Sequence, residues 1–194
     1  MTDDPRRSYE ALTLDDLARL GRLGALEVDE FSARNRRLAA WRGQHRFTAL
    51  VQGGAEHYLR YQRGIWDLDI AVFFTQHPGL PARGYLRRGT RQWDWGQSKF
   101  GRCPLDHPDY LGRAVDVMLW VIPDTSEPLD GLVSWLDDRR TKKPDPRRTP
   151  DLAHEPVVLI DPDIGRVVWD PPDVPPPRHK TEGHTQRPAA QAPA

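Results

Sequence analysis

Acidic residues inside apolar, strand-like runs are the feature of this chain that most restricts how it folds. Residues 67–74, DLDIAVFF, and residues 114–122, AVDVMLWVI, are rich in β-branched and aromatic side chains, which is typical of β-strands. Asp67, Asp69 and Asp116 stand within these runs. A carboxylate at such a position is costly unless it is paired, hydrogen-bonded or bound to a cation. The pattern therefore predicts a sheet that carries a cluster of carboxylates.

The spacing of the first two acids indicates a cation site. Alternate residues of a strand share one face, so Asp67 and Asp69 are predicted to lie about 6–7 Å apart along it. A divalent cation relieves their repulsion, and Mg²⁺ prefers hard oxygen ligands that substrate phosphates complete. Two such ions about 3.5–4 Å apart can clamp an in-line displacement at phosphorus. We therefore predict that Asp67, Asp69 and Asp116 bind Mg²⁺, as a two-ion site, with Mn²⁺ as the alternative metal.

A pair of glycines precedes the acids. Gly53 and Gly54 lie between a predicted strand, residues 46–52, and a predicted helix, residues 55–63. Glycines at such a junction let the backbone approach a phosphate, and the start of the helix offers free N–H groups to the anion. Gly-Gly alone is weak evidence, but its position before D-x-D and a third strand aspartate strengthens the prediction.

The remaining pattern predicts an α+β fold, a small mixed β-sheet flanked by helices. Helical spacing of apolar residues and turn signals divide the chain into further predicted elements. These are helices over 13–26, 28–42 and 126–138, a long connection over 77–113 with a short helix, and two short apolar runs around the turn DPDIG. We expect an N-terminal helical segment (1–45), a core (46–170) and a disordered proline-rich tail (171–194), which lacks large apolar side chains.

Composition excludes several classes of protein. The chain has 28 basic and 28 acidic residues and a net charge of zero, which argues against a general nucleic-acid coat protein. Its single cysteine, Cys103, excludes an internal disulfide and a multi-cysteine zinc site. No run approaches the roughly 20 apolar residues that span a bilayer. We expect a cytoplasmic protein with no membrane partner.

The motifs together resemble those of the nucleotidyltransferase superfamily that includes DNA polymerase beta, aminoglycoside nucleotidyltransferases and small MNT-type proteins of toxin–antitoxin pairs. The matching segments are LVQGG, WDLDIAV and AVDVML, within residues 47–122. The resemblance implies a nucleotidyltransferase-like fold and transfer of a nucleoside monophosphate from an NTP, such as ATP, to a hydroxyl acceptor, with release of pyrophosphate. The acceptor, whether RNA, protein or small molecule, stays open, and a partner protein is expected to complete its site.

The resemblance also implies roles for individual residues. Gly53 and Gly54 would contact the triphosphate, Asp67 and Asp69 would hold the metals, and Asp116 would ligate the catalytic metal and help to activate the acceptor. The chain departs from the family pattern at Gly54, where serine is common. That departure leaves a second hypothesis open, namely a non-catalytic nucleotide-binding or antitoxin-like module of the same fold.

Basic residues near the motifs are further candidates for phosphate binding. Arg63 precedes the acids and Lys99 lies in the long connection, so each is a candidate nucleotide-binding cation, with an ordinary surface position as the alternative. Two other interpretations of the acids remain: a solvated loop at W-D-L-D, and the D-x-D metal site of a glycosyltransferase.

Overall fold

The computed structural model describes residues 7, 9–34, 36–61, 64–80, 89–92, 115–141 and 152–171. Within these ranges two α-helices precede the first strand, one helix separates that strand from the next three, and a further helix precedes the last two strands. The helices are α1 (Leu14–Ala33), α2 (Arg36–Ala39), α3 (Gln52–Arg60) and α4 (Pro128–Thr141), with short 3₁₀ helices at Ala40–Gln44 and Leu152–His154. The strands are β1 (His45–Val51), β2 (Leu68–Thr75), β3 (Gly89–Gln92), β4 (Val115–Ile122), β5 (Val157–Asp161) and β6 (Val167–Trp169).

The described strands form one mixed sheet in the order β3-β4-β2-β1-β5-β6. Strands β2 and β4 are parallel neighbours, whereas every other neighbouring pair is antiparallel. The predicted α+β class, a mixed sheet flanked by helices, is confirmed. The predicted strands at 46–52, 67–74 and 114–122 correspond to β1, β2 and β4, and the runs around DPDIG form β5 and β6.

Two apolar clusters cover the two faces of the sheet, as the period-2 alternation of strand side chains requires. On one face, Ile70 and Phe74 of β2 pack in the same cluster as Leu20 of α1. On the other, Phe73 packs in the same cluster as Leu132 of α4. Burial of apolar surface on both faces stabilises the fold by about 25 cal/mol per Å². Helix α1 contributes to this buried core together with the strands.

The N-terminal helices differ from the prediction. A single helix, α1, replaces the helices predicted over 13–26 and 28–42, and it is followed by the short α2. The helix continues beyond residue 26, where Val28 and Phe31 pack in the same buried cluster as Leu20. Gly24, within the predicted range, lets α1 pass close to β1, since a Cβ on Gly24 would lie 2.8 Å from Cγ2 of Thr48. Glycine is a poor helix former, but its small size allows this contact, so packing overrides local propensity.

The segment predicted as a connection, residues 77–113, contains a strand that sequence reasoning missed. Strand β3 pairs antiparallel with β4, with Arg91 opposite Asp116. Its sequence, GTRQ, has no alternation of apolar and polar residues. It forms a strand because its backbone pairs with β4. The short helix predicted elsewhere in this segment lies outside the described residues.

Smaller differences concern where elements begin and end. Helix α3 begins at Gln52, three residues before its predicted start, so that the two glycines lie in its first turn. Helix α4 spans Pro128–Thr141 instead of 126–138. The predicted tail lies outside the described residues from position 172 onwards. No helix in the described ranges is both long and apolar enough to cross a membrane.

Candidate functional site

Those predicted site residues that the structure describes lie at one edge of the sheet, where several strands begin or end. Strand β1 ends at this edge, and its antiparallel neighbours β2 and β5 begin there, as does β4, which is parallel to β2. Helix α3 starts directly after β1. The topology therefore brings the first turn of α3 next to the beginnings of β2, β4 and β5, although these segments are far apart in sequence.

Two of the predicted acids are direct neighbours across the sheet. Asp69 of β2 and Asp116 of β4 are register partners in the parallel pair, and neighbouring strands lie about 4.7–4.9 Å apart. Both side chains are half-buried. Val51, the last residue of β1, pairs with Asp69 from the other side, so one row across the sheet connects the end of β1 with both carboxylates.

Asp67 lies just before β2 instead of within it, because the strand begins at Leu68. The prediction that Asp67 and Asp69 belong to one strand is therefore wrong by one residue at the boundary. Both carboxylates nevertheless contribute to the same place: Asp67 and Asp69 line a cavity of about 450 Å³. Residues 66 and 67 form a bend. Asp67 therefore reaches the cavity from this bend and not from the strand face that was expected to carry it.

The cavity combines residues from four parts of the chain. Those that the structure describes are polar, charged or small, apart from one tryptophan. The lining residues are Arg7, Gln52, Gly53, Gly64, Trp66, Asp67, Asp69 and Glu155. A volume of this size lies within the range of small-molecule sites.

The two glycines have different surroundings. Gly53 lines the cavity, and a Cβ built on it would meet nothing within 4 Å. Gly54 is buried, and its Cβ would lie 2.9 Å from Cδ1 of Leu50 and 3.4 Å from Cδ2 of Leu68. Gly54 therefore lets α3 pack closely on the sheet, whereas packing does not require glycine at position 53.

The backbone at the start of α3 is strained. Gln52 has φ = +54°, the left-handed region that is unfavourable for residues with a Cβ by roughly 1–2 kcal/mol. It follows Val51, whose extended backbone caps the helix without a side-chain hydrogen bond. The Gln52 amide also contacts Sδ of Met118 on β4 at 3.8 Å. Strained residues concentrate at functional sites, and this one lines the cavity.

Two predicted nucleotide-binding residues, Arg63 and Lys99, lie outside the described residues, so their roles stay predictions. Five described lining residues were missed by sequence reasoning: Arg7, Gln52, Gly64, Trp66 and Glu155. Gln52 adjoins the predicted glycine pair. Trp66 adjoins the D-x-D motif, and that adjacency is a usable signal. No sequence motif adjoins Arg7 or Glu155. Only the tertiary fold brings Arg7, from the N-terminal segment, and Glu155, which lies just before β5, to this edge.

The fit of a metal ion to this edge is partial. Carboxylates from β2 and β4 are neighbours, and Mg²⁺ sites commonly use one or two protein carboxylates together with substrate phosphates. Within the described ranges, no three His, Cys, Asp or Glu side chains form a group that could hold a metal ion. The acids therefore suit a site of one or two carboxylates that a bound polyphosphate completes.

Comparisons with known proteins identify no relative. No protein-family model matches the chain, and no curated protein or solved structure matches it significantly.

Proposed function

We propose that the protein is a metal-dependent nucleotidyltransferase that moves a nucleoside monophosphate from an NTP to a hydroxyl acceptor. The observation that carries the proposal is the register pairing of Asp69 with Asp116. The pair lies at the edge where Gly53, in the first turn of α3, lines the same cavity as Asp67. Carboxylates on neighbouring strands next to a helix start are suited to a metal-bound polyphosphate.

The chain offers distinct groups for each part of the donor. Asp69 and Asp116 are the residues that would hold Mg²⁺, which supplies Lewis-acid stabilisation of phosphoryl oxygens when bound, and Asp67 lines the adjoining cavity. The N–H groups of the first turn of α3 point towards the N-terminal end of the helix, where they attract anions. Gly53 keeps that turn open to the cavity because no side chain covers it.

The proposed reaction uses Asp116 as the proton acceptor. The oxygen of the acceptor hydroxyl bonds to the α-phosphorus, and the bond from that phosphorus to the oxygen bridging to the β-phosphate breaks. Pyrophosphate leaves, and the hydroxyl proton passes to a carboxylate oxygen of Asp116. Asp69, on the neighbouring strand, would hold the metal ion that positions the donor.

Labelled-nucleotide transfer tests the proposal. The protein is incubated with each labelled NTP, Mg²⁺ or Mn²⁺, and total RNA, cell protein or small metabolites as acceptors. We expect labelled product with the unaltered chain, and loss of product to background in Asp69→Asn and Asp116→Asn. Asp29→Asn is the matched control, since Asp29 is an exposed carboxylate paired with Arg42 near the opposite end of β1. Equal product from all three variants would contradict the proposal.

One observation supports a second candidate, a nucleotide-binding module without turnover. Where serine is common in the family that the motifs resemble, this chain has Gly54, which packs against Leu50 and Leu68 and offers no hydroxyl to a phosphate. Calorimetry separates the two functions. Binding of Mg²⁺–NTP that depends on Asp69, together with no labelled product for any acceptor, would favour the binding module.

A cytoplasmic location, with NTP as donor and RNA, protein or a small molecule as acceptor, belongs to the same proposal. Its support is the single cysteine, which cannot form an internal disulfide of the kind that is common in oxidising compartments. A partner chain that completes the acceptor site is also part of the proposal.

A further inference from the structure

The segment that precedes α1 is attached to the connection between α3 and β2. Arg7 with residues 9–12 forms what we call the N-terminal strap. Nε2 of the buried His57 donates to the carbonyl oxygen of Glu10 over 2.8 Å, and Leu12 is buried in the core cluster of α1. The strap is therefore held to the body of the fold at two points close to α3.

The strap also packs on Gly64. This residue has φ = +64°, and a Cβ on it would lie 2.7–2.9 Å from three carbons of the Tyr9 ring. Both its conformation and the closeness of Tyr9 require glycine at position 64. Gly64 itself lines the candidate cavity, so the strap reaches the cavity wall.

The end of the strap brings a guanidinium to the candidate site. Nη1 of Arg7 donates to the carbonyl oxygen of Gly64 over 3.2 Å, and Arg7 is half-buried. It lines the same cavity as Gly53, Asp67 and Asp69. The hydrogen bond to a buried backbone carbonyl already restricts the Arg7 side chain. The side chain therefore loses less conformational entropy when it contacts a ligand.

We propose that Arg7 binds the polyphosphate of the substrate in this cavity. The inference rests on the proposed function and adds a binding residue to it. Among the lining residues that the structure describes, the other charged ones, Asp67, Asp69 and Glu155, are acidic and repel a phosphate group unless a cation lies between them. A guanidinium has five N–H donors in a planar fork that matches phosphate oxygens, so Arg7 supplies the direct contact that the acids cannot.

Calorimetry with inorganic tripolyphosphate and with ATP, each with Mg²⁺, tests this contact. We expect Arg7→Gln to bind both ligands about ten- to a hundredfold more weakly, as loss of a hydrogen bond to a charged group implies. Arg7→Lys should retain an intermediate affinity, because it keeps the charge but loses the fork. Arg42→Gln is the control, since Arg42 is an exposed arginine paired with Asp29 near the far end of β1.

The outcomes separate the two proposals. Thermal unfolding of each variant shows whether it is folded, and Arg7→Lys keeps the test informative if Arg7→Gln is unstable. If Asp69→Asn loses tripolyphosphate binding while both Arg7 variants keep it, the role of Arg7 is overturned and the proposed function stands. If the unaltered chain binds neither ligand with Mg²⁺ or Mn²⁺, both proposals are overturned.

Discussion

At the scale of single residues, two adjacent glycines illustrate how one motif serves two physical requirements. Gly54 faces Leu50 and Leu68, so that the helix can lie close to the sheet, whereas Gly53 faces open space at the cavity. Sequence reasoning treated them as an equivalent pair. Only the environment of each Cβ position distinguishes a glycine needed for packing from a glycine that keeps a site open.

This difference predicts opposite effects of one substitution on stability and on binding. Gly53→Ala should raise the free energy of unfolding by up to about 1 kcal/mol, because alanine is the better helix former and its methyl group meets no neighbour. The same methyl group narrows the approach to the helix start and should weaken binding of Mg²⁺–NTP. Urea unfolding and calorimetry measure the two effects. Unchanged nucleotide binding would show that the phosphate does not approach Gly53.

His45 predicts a pH dependence of stability. Burial lowers the pKa of His45 from its ordinary value of 6.5, and the charge of Asp161 only partly opposes this effect. The ring lies beside Phe74, with centroids 5.8 Å apart, and Nε2 is hydrogen-bonded to Oγ1 of Thr48 over 3.1 Å. The folded protein therefore resists protonation of this imidazole.

Because the folded-state pKa is the lower one, the unfolded chain binds more protons between the two pKa values. The contribution of His45 to stability is complete above about pH 6.5 and decreases as the pH falls through the window down to the folded-state pKa. Urea unfolding at pH 7.5 and pH 5.5 measures this loss, and His45→Gln should make it smaller. An equal loss in the variant would assign the pH dependence to other groups.

At the scale of elements, α1 shows where local sequence is sufficient. The Thr13 hydroxyl accepts from the N–H of Asp16, and the Asp16 carboxylate accepts from the N–H of Thr13 over 2.8 Å. This reciprocal cap confirms the helix start inferred from the spacing of the two residues. The end of the helix was not predictable in the same way, since the helix continues past residue 26 where Val28 and Phe31 pack in the core cluster.

The cap predicts a modest and specific loss of stability. Thr13→Ala should lower the free energy of unfolding by about 1 kcal/mol, as expected for removal of a helix-capping hydroxyl. Thr13→Ser keeps the hydroxyl and serves as the control. Chemical denaturation followed by circular dichroism compares the three proteins. If serine and alanine destabilise equally, the methyl group rather than the cap is responsible.

At the scale of the whole molecule, the described helices of more than one turn pack on the sheet. Helices α1 and α3 pack on one apolar face, and α4 packs on the other. Residues 172–194 lie outside the described ranges, and their composition, with few large apolar side chains, predicts no contribution to a core. Removal of these residues should change the free energy of unfolding by less than about 0.5 kcal/mol, which urea titration measures. A larger loss would show that this segment packs on the fold.

The sequence by itself determined β2, β4 and their acids, because apolar runs that contain a carboxylate are rare and physically demanding. It also determined β1, the cap of α1 and the hairpin of β5 and β6, which depend on local patterns. Only the tertiary structure decided that β2 and β4 are parallel neighbours with Asp69 beside Asp116, that GTRQ is a strand, and that Arg7 and Glu155 reach the same cavity. These relations join segments that are distant along the chain, and they depend on which faces and edges are available for burial and pairing.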